Sequence, residues 1–221
     1  LELVAPVETD LDKLIVMGLG DAGEMTDQDW IELGGVIAGK VGSAKTVTVF
    51  AETADGLSAE STSNIAFGAK LRVYSFEKYK TKGKGGEDKK APTKQKLTFA
   101  SASATAARKV WAAHSGVADG VNLARDLVNE PANILGPVEF AKKAKDHESL
   151  SCKVTVLGDK DLKKIGMGSL LCVSQGSVKT AQVAVIGWKG GKAKDKPVGF
   201  VGKGVVFDTG GISLKPGAGM G

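Results

Sequence analysis

Apolar and polar positions alternate between a two-residue and a 3.6-residue period along the first half of the chain. This pattern predicts strands at 11–19, 45–52 and 94–101 and amphipathic helices at 27–41, 58–77 and 102–128. Asp27 is the expected N-cap of the first helix, and Gly116 and Gly120 could kink or break the last one. Strands that alternate with helices indicate the α/β class.

A segment with two prolines, Asn129–Pro137, interrupts this pattern and begins a second unit. The rest of the chain predicts helices at 136–147 and 159–166 and strands at 152–158, 169–176, 181–188 and 197–208. We therefore expect an N-terminal α/β domain at 1–101, with a central sheet flanked by helices, a linker helix at 102–128, and the start of a second α/β domain at 129–221.

Composition narrows the class of protein. A hydrophobic fraction of 42% with 25% charged residues excludes wholesale disorder, and no apolar run is long enough for a transmembrane helix. The first residues do not resemble a signal peptide. Two cysteines, Cys152 and Cys172, cannot form a disulfide framework, which favours a reducing, cytoplasmic location. The start at Leu1 and the glycine-rich end suggest part of a larger protein.

The net charge of +5 is concentrated in one segment. Eight lysines lie between Lys78 and Lys96, against only Glu87 and Asp88. The segment has no apolar period, so we interpret it as an exposed loop whose charge serves solvation. A basic loop of this kind could also contact phosphates, which leaves a DNA-binding or architectural role as the alternative function.

Two short motifs resemble nucleotide sites and are rejected on physical grounds. Gly18–Gly23 fits G-x-G-x-x-G, but acidic residues surround it and the helix is expected to begin several residues later, so a dinucleotide site is disfavoured. Gly34–Lys40 approximates a P-loop, but Val41 replaces the required Ser or Thr. The motif also lies inside a helix, whose amides are already bonded. His114 and His147 lack spaced partners and are interpreted as structural.

The end of the chain carries the strongest candidate chemistry. Lys203 and Asp208 lie at the mouth of an expected buried strand, and Lys215 follows in a glycine-rich turn. A buried lysine near a dication can lose its proton and become a ligand, and Asp208 is a hard oxygen ligand able to bridge two cations. Gly210 and Gly211 would allow a tight turn. A structural Lys–Asp ion pair remains an open alternative.

Residues 201–220, VGKGVVFDTGGISLKPGAGM, resemble the metal-binding segment of the leucine (cytosol) aminopeptidases, the M17 family. Arg125–Ala141 and Leu162–Ser177 resemble two further stretches of the same family. The resemblance implies an N-terminal α/β domain, a linking helix and a zinc-exopeptidase-like domain with a mixed central sheet. It also implies an enzyme that removes N-terminal residues, often Leu, from peptides and forms hexamers.

The same resemblance assigns roles to three residues. Lys203 matches a metal ligand, Asp208 the carboxylate that bridges both metals, and Lys215 the catalytic lysine that polarises the scissile carbonyl. Two divalent ions are expected, Zn²⁺ or Mn²⁺, with Mg²⁺ tolerated at one site, and a bicarbonate held by an arginine is implied. The remaining ligands of the family would lie after Gly221, so we expect the 221-residue chain alone to be inactive.

Overall fold

The computed structural model describes residues 1–53, 56–81, 95–192 and 194–220. Contacts divide the chain into two units, Leu1–Ala124 and Arg125–Gly221. Both contain helices and strands in alternation, which confirms the predicted α/β class.

The described residues of the first unit form two separate strand pairs and three α-helices. Its elements are β1 (Glu2–Val4), β2 (Lys13–Ile15), α1 (Asp27–Val41), β3 (Thr46–Phe50), α2 (Ala59–Arg72), β4 (Lys96–Ala100) and α3 (Ala104–Asn129), the last of which continues past the unit boundary. β1 and β2 are antiparallel. β3 and β4 are parallel, with Thr46 opposite Lys96 and Phe50 opposite Ala100, as expected when a helix connects the two strands.

The core of the first unit forms where α1 and α2 meet β3 and β4. Trp30 on α1, Ile65 on α2 and Ala51 after β3 are buried there, and Phe99 of β4 packs against them. β3 alternates exposed and half-buried positions, the pattern of a strand with one face on a core. Burial of these apolar side chains is the main stabilising contribution in this unit.

Two glycines set the distance between α1 and α2. A Cβ added at Gly34 would overlap the backbone carbonyl of Ile65, and one added at Gly68 would overlap the carbonyl of Ile31. The helices therefore cross with their backbones in direct contact, which only glycine permits at these two positions.

Polar contacts connect α2 to α3. Ser63 is buried and its hydroxyl lies 2.9 Å from Nδ1 of His114. The Lys70 ammonium donates to the Ser115 hydroxyl at 2.8 Å and pairs with the Asp119 carboxylate at 2.7 Å. His114 thus has the structural role predicted for it, and α3 is continuous through Gly116 and Gly120.

The second unit contains shorter elements. They are α4 (Pro137–Lys145), β5 (Lys153–Leu157), α5 (Asp159–Lys164), α6 (Gly168–Ser174) and β6 (Val183–Gly187). β5 and β6 are antiparallel, with Val154 opposite Ile186. The loop before α4 is fixed by two polar contacts: the Gly136 N–H donates to Glu139, and the Lys179 ammonium donates to the carbonyl of Ala132.

Several predicted elements differ from the structure at their ends. The strand expected at 11–19 is reduced to β2, and the helix expected at 58–77 ends at Arg72. The N-cap of α1 is Thr26 and not Asp27. The Thr26 hydroxyl accepts from the backbone N–H of Asp29, and the Asp29 carboxylate accepts from the backbone N–H of Thr26. Asp27 instead accepts from the Asn64 amide at 3.0 Å.

Residues 169–176 are largely helical, and the strand predicted there is wrong. Its apolar residues, such as Leu170 and Val173, form a short run whose period does not separate a strand from a helix. The structure places Gly168–Ser174 in α6, so Cys172 is a helical residue. It is a free, exposed cysteine, and Cys152, just before β5, is also free.

The strand predicted at 197–208 is absent. These residues have no regular secondary structure, and Phe200 and Val201 are almost fully exposed. An extended apolar segment becomes a strand only when a neighbour pairs with it, and within the described ranges no strand pairs with this segment. The expected burial of Lys203 in a strand is wrong for the same reason.

Among the described residues, none of the helices combines the length and the hydropathy that a membrane-spanning segment requires.

Candidate metal centre

The segment that carries the three candidate residues follows β6 in the second unit. Lys203 is exposed and is followed by Gly204, where an added Cβ would contact the ring of Phe140 on α4 at 2.7 Å. This close approach fixes the backbone next to Lys203. A larger residue at Gly204 would require the segment or the ring to move.

Asp208 and Lys215 close a turn. One carboxylate oxygen of Asp208, Oδ1, accepts from the Gly210 N–H at 2.8 Å. The other oxygen, Oδ2, pairs with the Lys215 ammonium at 3.1 Å. The backbone N–H of Lys215 also donates to the carbonyl of Thr209 at 2.8 Å. The last two of these contacts bring the two ends of the turn together.

The backbone of the turn depends on glycine. Gly210 has φ of +91° and Gly211 has φ of +68°, values in the left-handed region that other residues adopt at a cost. An added Cβ at Gly210 would also overlap the carbonyl of Ser213. The tight turn predicted from these two glycines is present.

The charge state of Asp208 follows from its contacts. The hydrogen bond from the Gly210 N–H and then the neighbouring Lys215 ammonium hold the pKa of the Asp208 carboxyl below its usual value, and Lys203 adds to this effect. The side chain of Asp208 remains 60% exposed. It is therefore an ionised carboxylate that solvent cations can reach.

The structure brings two of the three candidate residues into contact. Asp208 and Lys215 form an ion pair, which is the alternative left open by the sequence. Lys203 is near enough to affect the pKa of Asp208. It has no hydrogen bond or ion pair to Asp208 among the contacts of the described residues.

Asp208 and Lys203 fit part of a metal centre. A carboxylate suits Zn²⁺, Mn²⁺ and Mg²⁺, and a neutral amine suits Zn²⁺. Zn²⁺ sites have four ligands and the harder ions take six or more. Over residues 1–53, 56–81, 95–192 and 194–220, no group of three or more His, Cys, Asp or Glu could hold an ion. Within the described residues, Asp208 and Lys203 are therefore only candidate donors, and they do not make a complete ligand set.

The sequence pattern left a Lys–Asp ion pair open as an alternative, but it did not specify which lysine pairs with Asp208 and did not predict the donor role of the Gly210 N–H. An Asp two residues before a Gly is a signal for a turn in which the carboxylate accepts the backbone N–H. The pairing depends on the left-handed glycines between the two residues, and their conformation does not follow from spacing.

Most of the lysine-rich loop lies outside the described residues, which omit 82–94. At its edges, the Lys78 ammonium lies 5.3 Å from the ring centroid of Tyr79, and Lys96 is the first residue of β4. These features are local and do not support the nucleic-acid alternative.

Two family models match the chain. The model described as the cytosol aminopeptidase family, catalytic domain, matches residues 122–221, which include the whole candidate turn. The model described as the N-terminal domain of the same family matches residues 1–83.

Two similar proteins carry the same family name as these models. A probable cytosol aminopeptidase of Rhizobium etli is 51% identical over 222 residues, and one of Rhizobium meliloti is 48% identical. Each match covers 100% of this chain but 44% of the relative, so the chain spans less than half the length of these relatives.

Solved structures also resemble the chain. The bottromycin maturation enzyme BotP in complex with Mn has a TM-score of 0.74 at 28% identity, over 91% of this chain and 41% of BotP. The cytosol aminopeptidase from Coxiella burnetii has a TM-score of 0.66 at 27% identity, over 90% and 39% of the two chains. Two domain models of one family match in order, and a relative is 51% identical over the whole of this chain, so this chain belongs to the cytosol aminopeptidase family.

Proposed function

We propose that the protein carrying this chain is a metal-dependent aminopeptidase that releases N-terminal residues, Leu among them, from peptides. The observation that carries the proposal is the turn in which Asp208 and Lys215 lie 3.1 Å apart, inside the segment matched by the catalytic-domain model. The Mn complex of BotP, a structural neighbour, supports a metal-dependent site.

The chain's own residues have distinct parts in this proposal. Asp208 and Lys203 would hold divalent ions. When bound, such ions lower the pKa of water and polarise a carbonyl group. Zn²⁺ or Mn²⁺ is proposed, with Mg²⁺ possible at one site.

Lys215 has a different part in the proposal, as the cationic partner of Asp208. A fixed positive charge beside a scissile carbonyl stabilises the negative charge that develops on oxygen during attack by water. Lys215 would bind the peptide carbonyl and orient it, and Gly210 and Gly211 would hold the turn in position. We propose no residue of this chain for the implied bicarbonate.

The test compares two variants of the full-length protein. Asp208→Ala should lose bound metal and all metal-dependent release of leucine from leucyl amide. Lys215→Ala should retain metal and lower turnover by about 100- to 1,000-fold, the effect of removing one donor to a developing oxyanion. Metal content and rate are measured on the same samples. If Lys215→Ala emptied the site, the division of roles would be wrong.

Two further parts of the proposal have their own measurements. The 221-residue chain alone is expected to be inactive, because its described residues supply only two metal donors; chelator-sensitive release of leucine by this chain would contradict that. The homo-hexamer implied by the family resemblance is checked by the mass of the full-length protein in solution.

A further inference from the structure

We infer that Phe140 is a positioning residue for the candidate site: the edge of its ring determines where the backbone of Lys203 and Gly204 lies. Phe140 belongs to α4, and it would act through Lys203 and not through a contact with the peptide. The inference rests on the proposed function for its effect on activity, whereas the placement of the backbone can be tested without activity.

Space, and not backbone conformation, accounts for the glycine at position 204. The φ of Gly204 lies outside the left-handed region that Gly210 and Gly211 adopt, so other residues could take the same φ. The three atoms nearest to an added Cβ at Gly204 all belong to the Phe140 ring, with Cε1 at 2.7 Å and Cδ1 at 3.2 Å. Packed carbon atoms prefer a separation of about 3.5–4.0 Å. The ring therefore leaves room for a glycine and for no larger residue.

The ring can act as a fixed surface because α4 is held at its first turn. The Phe140 N–H donates to the carbonyl of Gly136 at 2.8 Å, and the Glu139 carboxylate accepts from the Gly136 N–H at 3.1 Å. Ala141, the next residue of α4, is buried. The backbone from which the ring extends is therefore fixed on both sides of Phe140.

Lys179, which lies between α6 and β6, holds the same turn from a distant part of the sequence. Its ammonium donates to the carbonyl of Ala132 at 3.2 Å. An added Cβ at Gly136 would lie 2.6 Å from both Cδ and Nζ of Lys179. The lysine side chain therefore passes directly over Gly136, so the start of α4 is held by contacts within the helix and by a contact from outside it.

A fixed ring beside Gly204 has a consequence for Lys203. The two residues share a peptide bond, so the position of the Gly204 backbone determines where the Lys203 side chain starts. A misplacement of about 1 Å in an active site can lower a reaction rate by about 100-fold. The contact between α4 and Gly204 should therefore affect turnover, although neither of its partners is assigned a chemical step.

The test is a double-mutant cycle in the full-length protein, with kcat for release of leucine from leucyl amide as the readout. Gly204→Ala should lower kcat by about 100-fold, because the segment must move away from the ring. Phe140→Leu removes Cε1 and should lower kcat by about ten-fold, because the segment loses its fixed surface. The same change makes room for the new methyl group, so the double variant should be about ten-fold faster than Gly204→Ala, as expected of coupled residues.

Two outcomes of this cycle overturn the inference. One is a double variant whose loss equals the product of the two single losses, because residues that do not touch have independent effects. The other is a wild-type rate in Phe140→Leu. The control is Gly191→Ala, where the φ is not left-handed and the added Cβ meets open space. This variant should have the wild-type kcat.

The Michaelis constant separates positioning from a change in peptide binding. Lys203 does not bind the peptide in the proposed function, so KM for leucyl amide should stay near the wild-type value while kcat falls. A raised KM with an unchanged kcat in Gly204→Ala would contradict the positioning role.

The thermal unfolding midpoint tests the contact without substrate. Gly204→Ala should lower the midpoint by about 2–4 °C through overpacking, and adding Phe140→Leu should raise it again. Recovery of the midpoint without recovery of kcat would show a contact that positions nothing, and it would overturn the inference. If wild type released no leucine, the proposed function would fail, and recovery of the midpoint would still support the placement of the backbone by the ring. A midpoint that did not recover would overturn that placement.

Discussion

The α1–α2 pair and the Asp208–Lys215 turn are held by contacts of opposite kinds. The helix pair is held by buried apolar side chains such as Trp30 and Ile65, and its backbones touch at Gly34. The turn is held by polar contacts within eight residues, and solvent reaches at least one partner of each contact.

This difference separates stability from chemistry. Buried packing contributes most of the free energy of folding but leaves no group free to react. The turn buries little, so it adds little to global stability, and its charged groups remain accessible to ions and substrate. A change in one region should therefore alter a quantity that a change in the other leaves intact.

The largest expected effect is on the helix pair. Gly34→Ala places a methyl group against the carbonyl of Ile65, so α1 and α2 must separate. We expect a loss of about 3 kcal/mol or more in the free energy of unfolding, typical of overpacked buried contacts. Urea unfolding followed by circular dichroism measures it.

Gly35→Ala is the matched control on the same helix. The nearest atoms to its added Cβ lie 4.0 Å away, so alanine should fit and stabilise by about 0.5–1 kcal/mol through its higher helix propensity. Equal destabilisation by both substitutions would show that the close helix contact does not exist.

An intermediate effect is expected from the turn. Gly210→Ala combines a φ of +91° with an overlap on the Ser213 carbonyl, so the turn should open. The unfolding midpoint of the first unit should stay unchanged, while the Lys215 amide loses protection from hydrogen exchange. Gly211→Ala, where the Cβ meets open space, should cost only about 1–2 kcal/mol of local strain. A lowered midpoint in Gly210→Ala would mean that the turn supports the core.

The same difference explains what the sequence could predict. α1 was predicted at its observed bounds, because a strong amphipathic period and a polar start are local signals. The strand expected at 197–208 failed because a strand requires a partner, which local pattern does not contain. The strand predicted at 169–176 is wrong because a short apolar run fits either a strand or a helix.

In the candidate site, too, some features were predictable from the sequence and others were not. Its residue types and order pointed to Lys203, Asp208 and Lys215, because the chemistry of a ligand is a property of the side chain. The tight turn at Gly210 and Gly211 is present as predicted, but the choice of Lys215 as the partner of Asp208 was not predictable. The pairing of Asp208 with Lys215 depends on left-handed glycines, and the exposure of Lys203 depends on strand pairing.

The smallest expected effect is the response of the turn to acid. The contacts of Asp208 with the Gly210 N–H and Lys215 lower its pKa in the folded protein. Between the two pKa values, the folded state binds fewer protons than the unfolded state. The stabilisation that these contacts give is therefore complete above the unfolded pKa of about 4, and it is lost as pH falls through the lower folded pKa. The Gly210 amide resonance should shift over that range in metal-free protein, while resonances of the α1–α2 core do not. Asp208→Asn should abolish the shift, and a shift that persisted in this variant would assign the titration to another group.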